Sequence, residues 1–251
     1  MNAFAITLDI DWAPDFVIDF VAELLIQHNA RATWFVTHIS PAVERLRQHT
    51  QLFELGIHPN FMAGSTHGQT PEAVLDHCMG LVPDAVSMRT HALFQSTPIL
   101  AKAARLTSIK TDVSLFLPYA VHLQPVRMWF DPEHSLIRVP VYWSDGTEIN
   151  RPLPSWKTTS LITSADDVKV FAFHPMHVYL NSPNAQPYQK VKERSSRINV
   201  LQPADLETLI YSGEGDRTFF LELIQNLSRK TLLMRIKDIA DSWQQFEERE
   251  I

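Results

Sequence analysis

At 251 residues the chain is long enough for one large α/β domain or two small ones. Its 45% hydrophobic and 20% charged content is ordinary for a globular protein, and a formal charge of −6 excludes the basic surface that non-specific nucleic-acid binding needs. The single Cys78 excludes an internal disulfide framework and a multi-cysteine zinc site, and fits a reducing compartment. The N-terminus has no basic region, no apolar stretch of signal length and no small-residue cleavage site. No run approaches the roughly 20 apolar residues that span a bilayer, so a cytoplasmic protein without a membrane span is expected.

The first element, Ala3-Phe-Ala-Ile-Thr-Leu-Asp-Ile-Asp-Trp12, is an apolar strand that ends in two carboxylates. Val17, Phe20, Val21, Leu24 and Leu25 then fall on one stripe, which predicts a helix from Asp15 to Asn29, with Pro14 near its start. Ala32–Val36 is a short continuous apolar run, as in a strand buried on both faces. The alternation continues with a helix from Ser40-Pro41 to about Gln48, a strand over Gln51–Ile57 and a helix from Pro71 to about Met79. A strand over Ala85–Met88, a helix over Thr97–Arg105 and a strand at about Thr107–Thr111 follow. Asp112 to Leu136 reads as loop and irregular strand. Leu136–Tyr142 is strand-like, with Pro140 marking an edge or a bulge, and Lys169–Phe173 is the last clear strand. Helices are expected over Pro203–Tyr211, Gly215–Leu227 and Thr231–Glu248. No repeat or low-complexity linker interrupts this order, so residues 1–251 are expected to form one domain, with a core at about 3–181 and a helical part at about 203–248. About seven strands alternating with helices imply an α/β fold with a mainly parallel sheet, open or closed into a barrel.

The apolar runs keep ending in ionisable residues, which is how such folds assemble a site at their strand ends. Alternation along a strand puts Asp9 and Asp11 on one face, where a cation, a proton or a catalytic role keeps a repelling pair in place. Helix capping and an ion pair to arginine are the structural alternatives. His58 closes Phe53-Glu-Leu-Gly-Ile-His58 as a ligand or as a hydrogen-bonded structural group. His67 lies in the small-residue loop Ala63-Gly-Ser-Thr-His-Gly68, which either returns over the sheet edge or points into solvent. Arg89 and His91 close the run from Ala85, and Arg89 suits pairing with Asp9, whether to fix its protonation state or as a structural ion pair. His174 and His177 flank Pro175-Met176 after the most apolar strand, and at least one is expected to be functional. Asp and His donors with an open position suit zinc or another divalent transition metal, which lowers the pKa of water from about 15.7 toward about 7. With a carboxylate as base and a histidine as acid, the set fits hydrolysis of an amide or ester.

These motifs, in this order, resemble the polysaccharide deacetylase family, the NodB-homology proteins of carbohydrate esterase family 4, over about residues 3–181. The residues that carry the resemblance are Thr7-Leu-Asp-Ile-Asp-Trp12, Ala32-Thr-Trp-Phe-Val36, Glu54-Leu-Gly-Ile-His58, Met88-Arg89-Thr-His-Ala-Leu-Phe94 and Phe173-His174-Pro175. Asp112, and Asp145 after Val139-Pro-Val-Tyr-Trp-Ser, match the region of a further family aspartate. The ending His174-Pro-Met-His-Val-Tyr-Leu-Asn181 looks like a divergent bacterial subgroup, similar to deacetylase-like proteins of O-antigen or capsule biosynthesis. The resemblance implies a distorted (β/α)7 barrel, here with additional C-terminal helices, and a metal-dependent N-deacetylase of a nucleotide- or glycan-linked acetamido sugar. It makes Asp9 the base, held by Arg89, and His174 the acid, with His177 orienting substrate or supporting the site from behind the residues that touch it. Ile10 splits the family's adjacent aspartates, and the second family histidine falls on Met62, a poor zinc ligand. Asp11, His58 and the substitute His67 are therefore the expected ligands of a divalent metal, zinc by preference. Trp12, Asn60, His91 and Asn181, within or beside the same motifs, are the expected substrate contacts. The alternatives are a metal-independent hydrolase of another C–N amide and an inactive carbohydrate-binding relative.

Overall fold

The computed structural model describes residues 2–158, 161–162, 167–228 and 233–250. Strands β1 (Ala3–Asp9), β2 (Ala32–Val36), β3 (Phe53–Ile57), β4 (Ser87–Met88) and β5 (Thr111–Asp112) alternate with helices α1 (Asp15–Gln27), α2 (Pro41–Arg47), α3 (Pro71–Leu81) and α4 (Thr97–Leu106). Apolar runs and capping residues account for these elements. Ser40 and Thr70 accept backbone N–H groups at the starts of α2 and α3, each followed by a proline at the first helical position. β6 (Val126–Trp129) and β7 (Ser135–Arg138) form an antiparallel pair, and β8 (Val141–Ser144) and β9 (Val168–Phe173) complete the sheet.

The strand order is β6-β7-β5-β4-β3-β2-β1-β9-β8, with every pairing parallel except β6 with β7. β8 also bonds the chain just beyond β5, through the Phe116–Val141 bridge and the N–H groups of Leu117 and Tyr119. The β8 end of the sheet thus closes back on the chain beyond β5, and the fold is a distorted α/β barrel. β7 and β8, expected as one strand over Leu136–Tyr142, are separated at Val139-Pro140. Pro140 has no N–H to donate, and there the chain leaves β5 for β9. The strand expected at Thr107–Thr111 starts only at Thr111, because the Thr107 hydroxyl donates to the Ala103 carbonyl and accepts from the Ile109 N–H, prolonging the turn after α4. The stretch expected to be irregular contains β6.

Short helices α5 (Asp145–Glu148), α6 (Pro175–Leu180) and α7 (Gln186–Arg194) have no counterpart in the sequence reading. The helix expected over Pro203–Tyr211 is α8 (Pro203–Leu206) plus a 3-10 turn at Glu207–Leu209. Next come α9 (Asp216–Ser228) and α10 (Ile236–Glu250); the expected start at Thr231 lies outside the described residues. No helix among those residues is long and apolar enough to cross a membrane.

Alternation along β1 sorts the core. Phe4, Ile6 and Leu8 join Val17, Val21 and Leu25 of α1, whereas Ala3 and Ala5 join Phe35, Val141, Val170 and Ala172 across the barrel, with Ile236 and Ile239 of α10. The α10 N-terminus closes the lower end, its Ile236 N–H donating to Thr33 Oγ1 and its Lys237 N–H to Glu54. At Gly56 an added Cβ would lie 2.7 Å from the Ser87 carbonyl, so β3 and β4 approach too closely for a side chain. The opposite rim, at the C-terminal strand ends, carries Asp9, His58, Arg89, Asp145 and His174.

Candidate active site

Asp9 ends β1 and is buried against Arg89, which is wholly buried after β4. Arg89 Nη1 donates to Asp9 Oδ1 at 3.0 Å, Nη2 to Thr7 Oγ1 at 2.8 Å and Nε to the Val113 carbonyl at 3.2 Å, with the guanidinium over the Phe35 ring. A buried cation satisfied on every side is a rigid anchor for the carboxylate beside it.

Asp11 reaches the same mouth by a different route from the one expected. β1 stops at Asp9, and Asp11 and Trp12 adopt left-handed backbone (φ 45° and 55°). Such strain in bulky residues persists where the surroundings enforce it; here Ala13 N–H closes onto the Ile10 carbonyl and Trp12 N–H onto Thr37 Oγ1. The turn aims Asp11 Oδ1 at two imidazoles: His58 Nε2 at 3.1 Å and His91 Nδ1 at 3.0 Å, the two nitrogens being 3.4 Å apart. Donor atoms of a tetrahedral zinc site, with bonds of 2.0–2.1 Å, stand about 3.3 Å apart, so the three groups match one face of such a polyhedron. The other nitrogen of His58 is buried with no hydrogen-bond partner among the described residues, 3.8 Å from Asp9 Oδ1. Burial disfavours ionised Asp11, but hydrogen bonds from His58 and His91 and the charge of His174 outweigh it and hold its carboxyl well below the usual range.

His174 caps β9. Its Nδ1 is 2.7 Å from Asp145 Oδ1, its backbone N–H donates to Asp145 Oδ2, and its Nε2 is 3.5 Å from Asp11 Oδ2. Burial opposes the imidazolium, yet Asp145 and Asp11 overcome that cost and raise its pKa to about 10. His177, one turn into α6, is buried with Nδ1 3.2 Å from Ser182 Oγ, and burial depresses its pKa to about 4. Asp11, His91, His174 and His177 open into a cavity of about 860 Å³, with Trp12 and Asn60 on its wall. A smaller cavity of about 320 Å³ reaches Asp9 and Arg89 and also touches His174.

Asp9, Asp11, His58, Arg89, His174, His177, Trp12 and Asn60 thus all gather at one mouth, whereas two other expected residues do not. His67 was the expected third ligand, but its Nε2 faces the Thr37 carbonyl at 2.9 Å and its Nδ1 accepts the Asn60 N–H at 3.2 Å. Both ring nitrogens are spent on backbone groups away from Asp11, and the ring stacks on His77. His91, expected as a substrate contact, lines the main cavity and also stands beside Asp11 and His58. Asn181 is buried as a hinge between α6 and α9, donating to the Tyr211 and Gly213 carbonyls and accepting the Thr218 N–H, away from the cavity. Of the two aspartates in the further motif, Asp145 holds His174; Asp112 is tied to Arg138 at 2.8 Å. The roles of Asp145 and α7 were not assigned from sequence. The apolar strand ending in Asp145 was the signal for the first, and the basic run Lys190, Lys192, Arg194 and Arg197 for the second.

The family model that matches is that of the WbmS-like polysaccharide deacetylases, over residues 6–192. Among solved structures, the chain is similar to one from Bordetella bronchiseptica described as a WbmS polysaccharide deacetylase involved in O-antigen biosynthesis. The identity is 33% and the TM-score 0.76, covering 89% of this chain and 90% of that one. Two more distant structures share the fold. Peptidoglycan deacetylase PdaC of Bacillus subtilis is 13% identical, with a TM-score of 0.50 over 99% of this chain and 95% of that chain. The 4-alpha-glucanotransferase of Thermococcus litoralis is 14% identical, with a TM-score of 0.54 over 96% of this chain and 38% of that one. No curated protein is similar enough in sequence to count as a match. The span of the family match and the one-third identity to a full-length relative together make this chain a member of the WbmS-like polysaccharide deacetylase family.

Proposed function

We propose that this chain is a divalent-metal-dependent N-deacetylase of an acetamido sugar in surface-polysaccharide biosynthesis, the whole chain acting as one domain. The observation that carries the reading is the triangle of Asp11, His58 and His91 donor atoms, at 3.0, 3.1 and 3.4 Å, with Asp11 and His91 lining the main cavity and His58 buried behind them. Oxygen and imidazole donors suit zinc, and a divalent ion there would supply Lewis acidity toward a carbonyl and toward water. Asp9 accepts the proton of the attacking water, with Arg89 orienting its carboxylate. His174, protonated through Asp145, delivers a proton to the departing amine, which leaves poorly as an anion. His177 is neutral near pH 7 and orients the sugar. Trp12 offers an aromatic face and Asn60 an amide to the ring and its hydroxyls.

A second reading draws on the same distances, since 3.0–3.1 Å is also a hydrogen-bond length and His91 has its pKa raised against burial by Asp11. In that reading the site is a metal-independent amide hydrolase. Acetate release from an N-acetylhexosamine substrate, assayed before and after chelation and again with added zinc, separates the two. Loss on chelation with recovery on zinc is expected. His91→Ala should bind far less zinc by elemental analysis, and His67→Ala should keep it. Full activity in chelator would instead establish the second reading.

A further inference from the structure

The cavity over the strand ends is chemically lopsided. Its floor holds Asp11, the one acidic residue among the described residues that line it, and its outer wall holds Lys192, near the end of α7, and Arg197 just beyond. Neither cation has a carboxylate or hydrogen-bond partner for its charged group among the described residues. Arg194, between them in the chain, is spent on the Asp205 carbonyl and Thr208 Oγ1. A cation in the last turn of a helix complements the helix dipole wherever it points. That serves Lys192 and Arg194 alike, but it accounts neither for Arg197, beyond the helix, nor for Lys192 and Arg197 both lining the cavity of a chain whose net charge is −6. A row of rings joins them to the strand ends: Lys192 Nζ is 4.5 Å from the Tyr188 centroid, Tyr188 is 4.8 Å from His177, and His177 is 5.7 Å from His174.

We infer that the outer end of this cavity binds an oxyanion carried by the substrate, either the phosphate that attaches the sugar to a carrier or the carboxylate of an adjoining acidic sugar. The word substrate rests on the deacetylase reading; the anion site itself does not. Two cations whose charged groups have no carboxylate or hydrogen-bond partner among the described residues form charge-assisted hydrogen bonds with such a group at little cost, Lys192 giving up at most its place over the Tyr188 ring. A walled cavity also focuses their field on an approaching anion.

Chelator-treated full-length protein, titrated by calorimetry with inorganic pyrophosphate and separately with glucuronate, tests the site without turnover or metal. At least one anion should bind, and more weakly as salt rises. Lys192→Ala and Arg197→Ala should each weaken it by about tenfold, the size of a lost hydrogen bond to a charged group. Lys192→Arg should retain binding. Lys190→Ala, exposed on the same helix but outside the cavity, should leave it unchanged. The tighter of the two anions identifies the source of the charge. Failure of both to bind wild type, or equal binding by the double alanine variant, overturns the inference. Either result leaves acetate release, and with it the deacetylase reading, as a separate question.

Discussion

Glu54 and Asp11 are carboxylates at opposite ends of one barrel, and their surroundings drive them in opposite directions. Glu54, near the floor, receives the hydroxyls of Thr33 and Ser87 at 2.7 Å each and the Lys237 N–H at 2.9 Å. These donors are mostly neutral, and burial still lifts its pKa above the ordinary value. Asp11, at the mouth, meets burial too, but three histidine rings stand within 3.5 Å and push its pKa far down. Glu54 has fixed, local partners and needs nothing more. Asp11 is crowded by groups that also crowd one another, an arrangement a fold gains little from unless something is held there. A buried carboxylate is therefore read by what its partners still have to offer.

Rate, stability and pH can each break this contrast. The largest effect is expected at the mouth: Asp9→Asn should lower kcat by roughly 10²–10⁴, the range for a general base, with the metal retained. If the metal is lost in that variant, the roles of Asp9 and Asp11 are exchanged. Glu54→Ala should do the converse. Leaving buried donors unpaired costs about 2–4 kcal/mol of folding free energy, readable in a urea titration, while metal stoichiometry stays at the wild-type level. A metal-deficient but stable Glu54→Ala protein would erase the distinction between the two ends. Near neutral pH the smallest effect belongs to His67, whose pKa burial depresses to about 4. The unfolded chain takes up that proton first, so its contribution is complete above about pH 6.5 and is lost as pH falls toward 4, by up to about 1.4 kcal/mol per pH unit. His67→Gln should flatten that acid limb; an unchanged slope means the ring is already charged in the fold.

The parts of the molecule set by local chemistry were legible in the sequence. Apolar runs marked β1, β2, β3 and β9, and Ser40-Pro41 and Pro71 marked helix starts. The strand ends then followed, placing Asp9, His58, Arg89 and His174 at one rim. What the sequence withheld depends on where the chain turns. The small residues at 63–68 permit a loop in many directions, and the Thr37 carbonyl, 30 residues away, captures His67. His91 swings toward Asp11 beside Ala92 and Leu93, both left-handed at φ 54°, a conformation that no pattern of those residues foretells. Met62, where the family would place a ligand, is 45% exposed and outside the site. The break at Pro140 was visible as an irregularity, but its use, moving the chain from β5 to β9 and closing the barrel, depends on residues far away in sequence.

The seating of α10 has a consequence in time. Ile236 and Lys237 meet Thr33 and Glu54 across 203 and 183 residues of chain, and β1 waits for β9 before its second edge is covered. Contacts of such long range form late, because the loops they close must first be gathered. A folding chain therefore exposes the underside of its sheet until α10 docks, and that late contact is the one that shuts it.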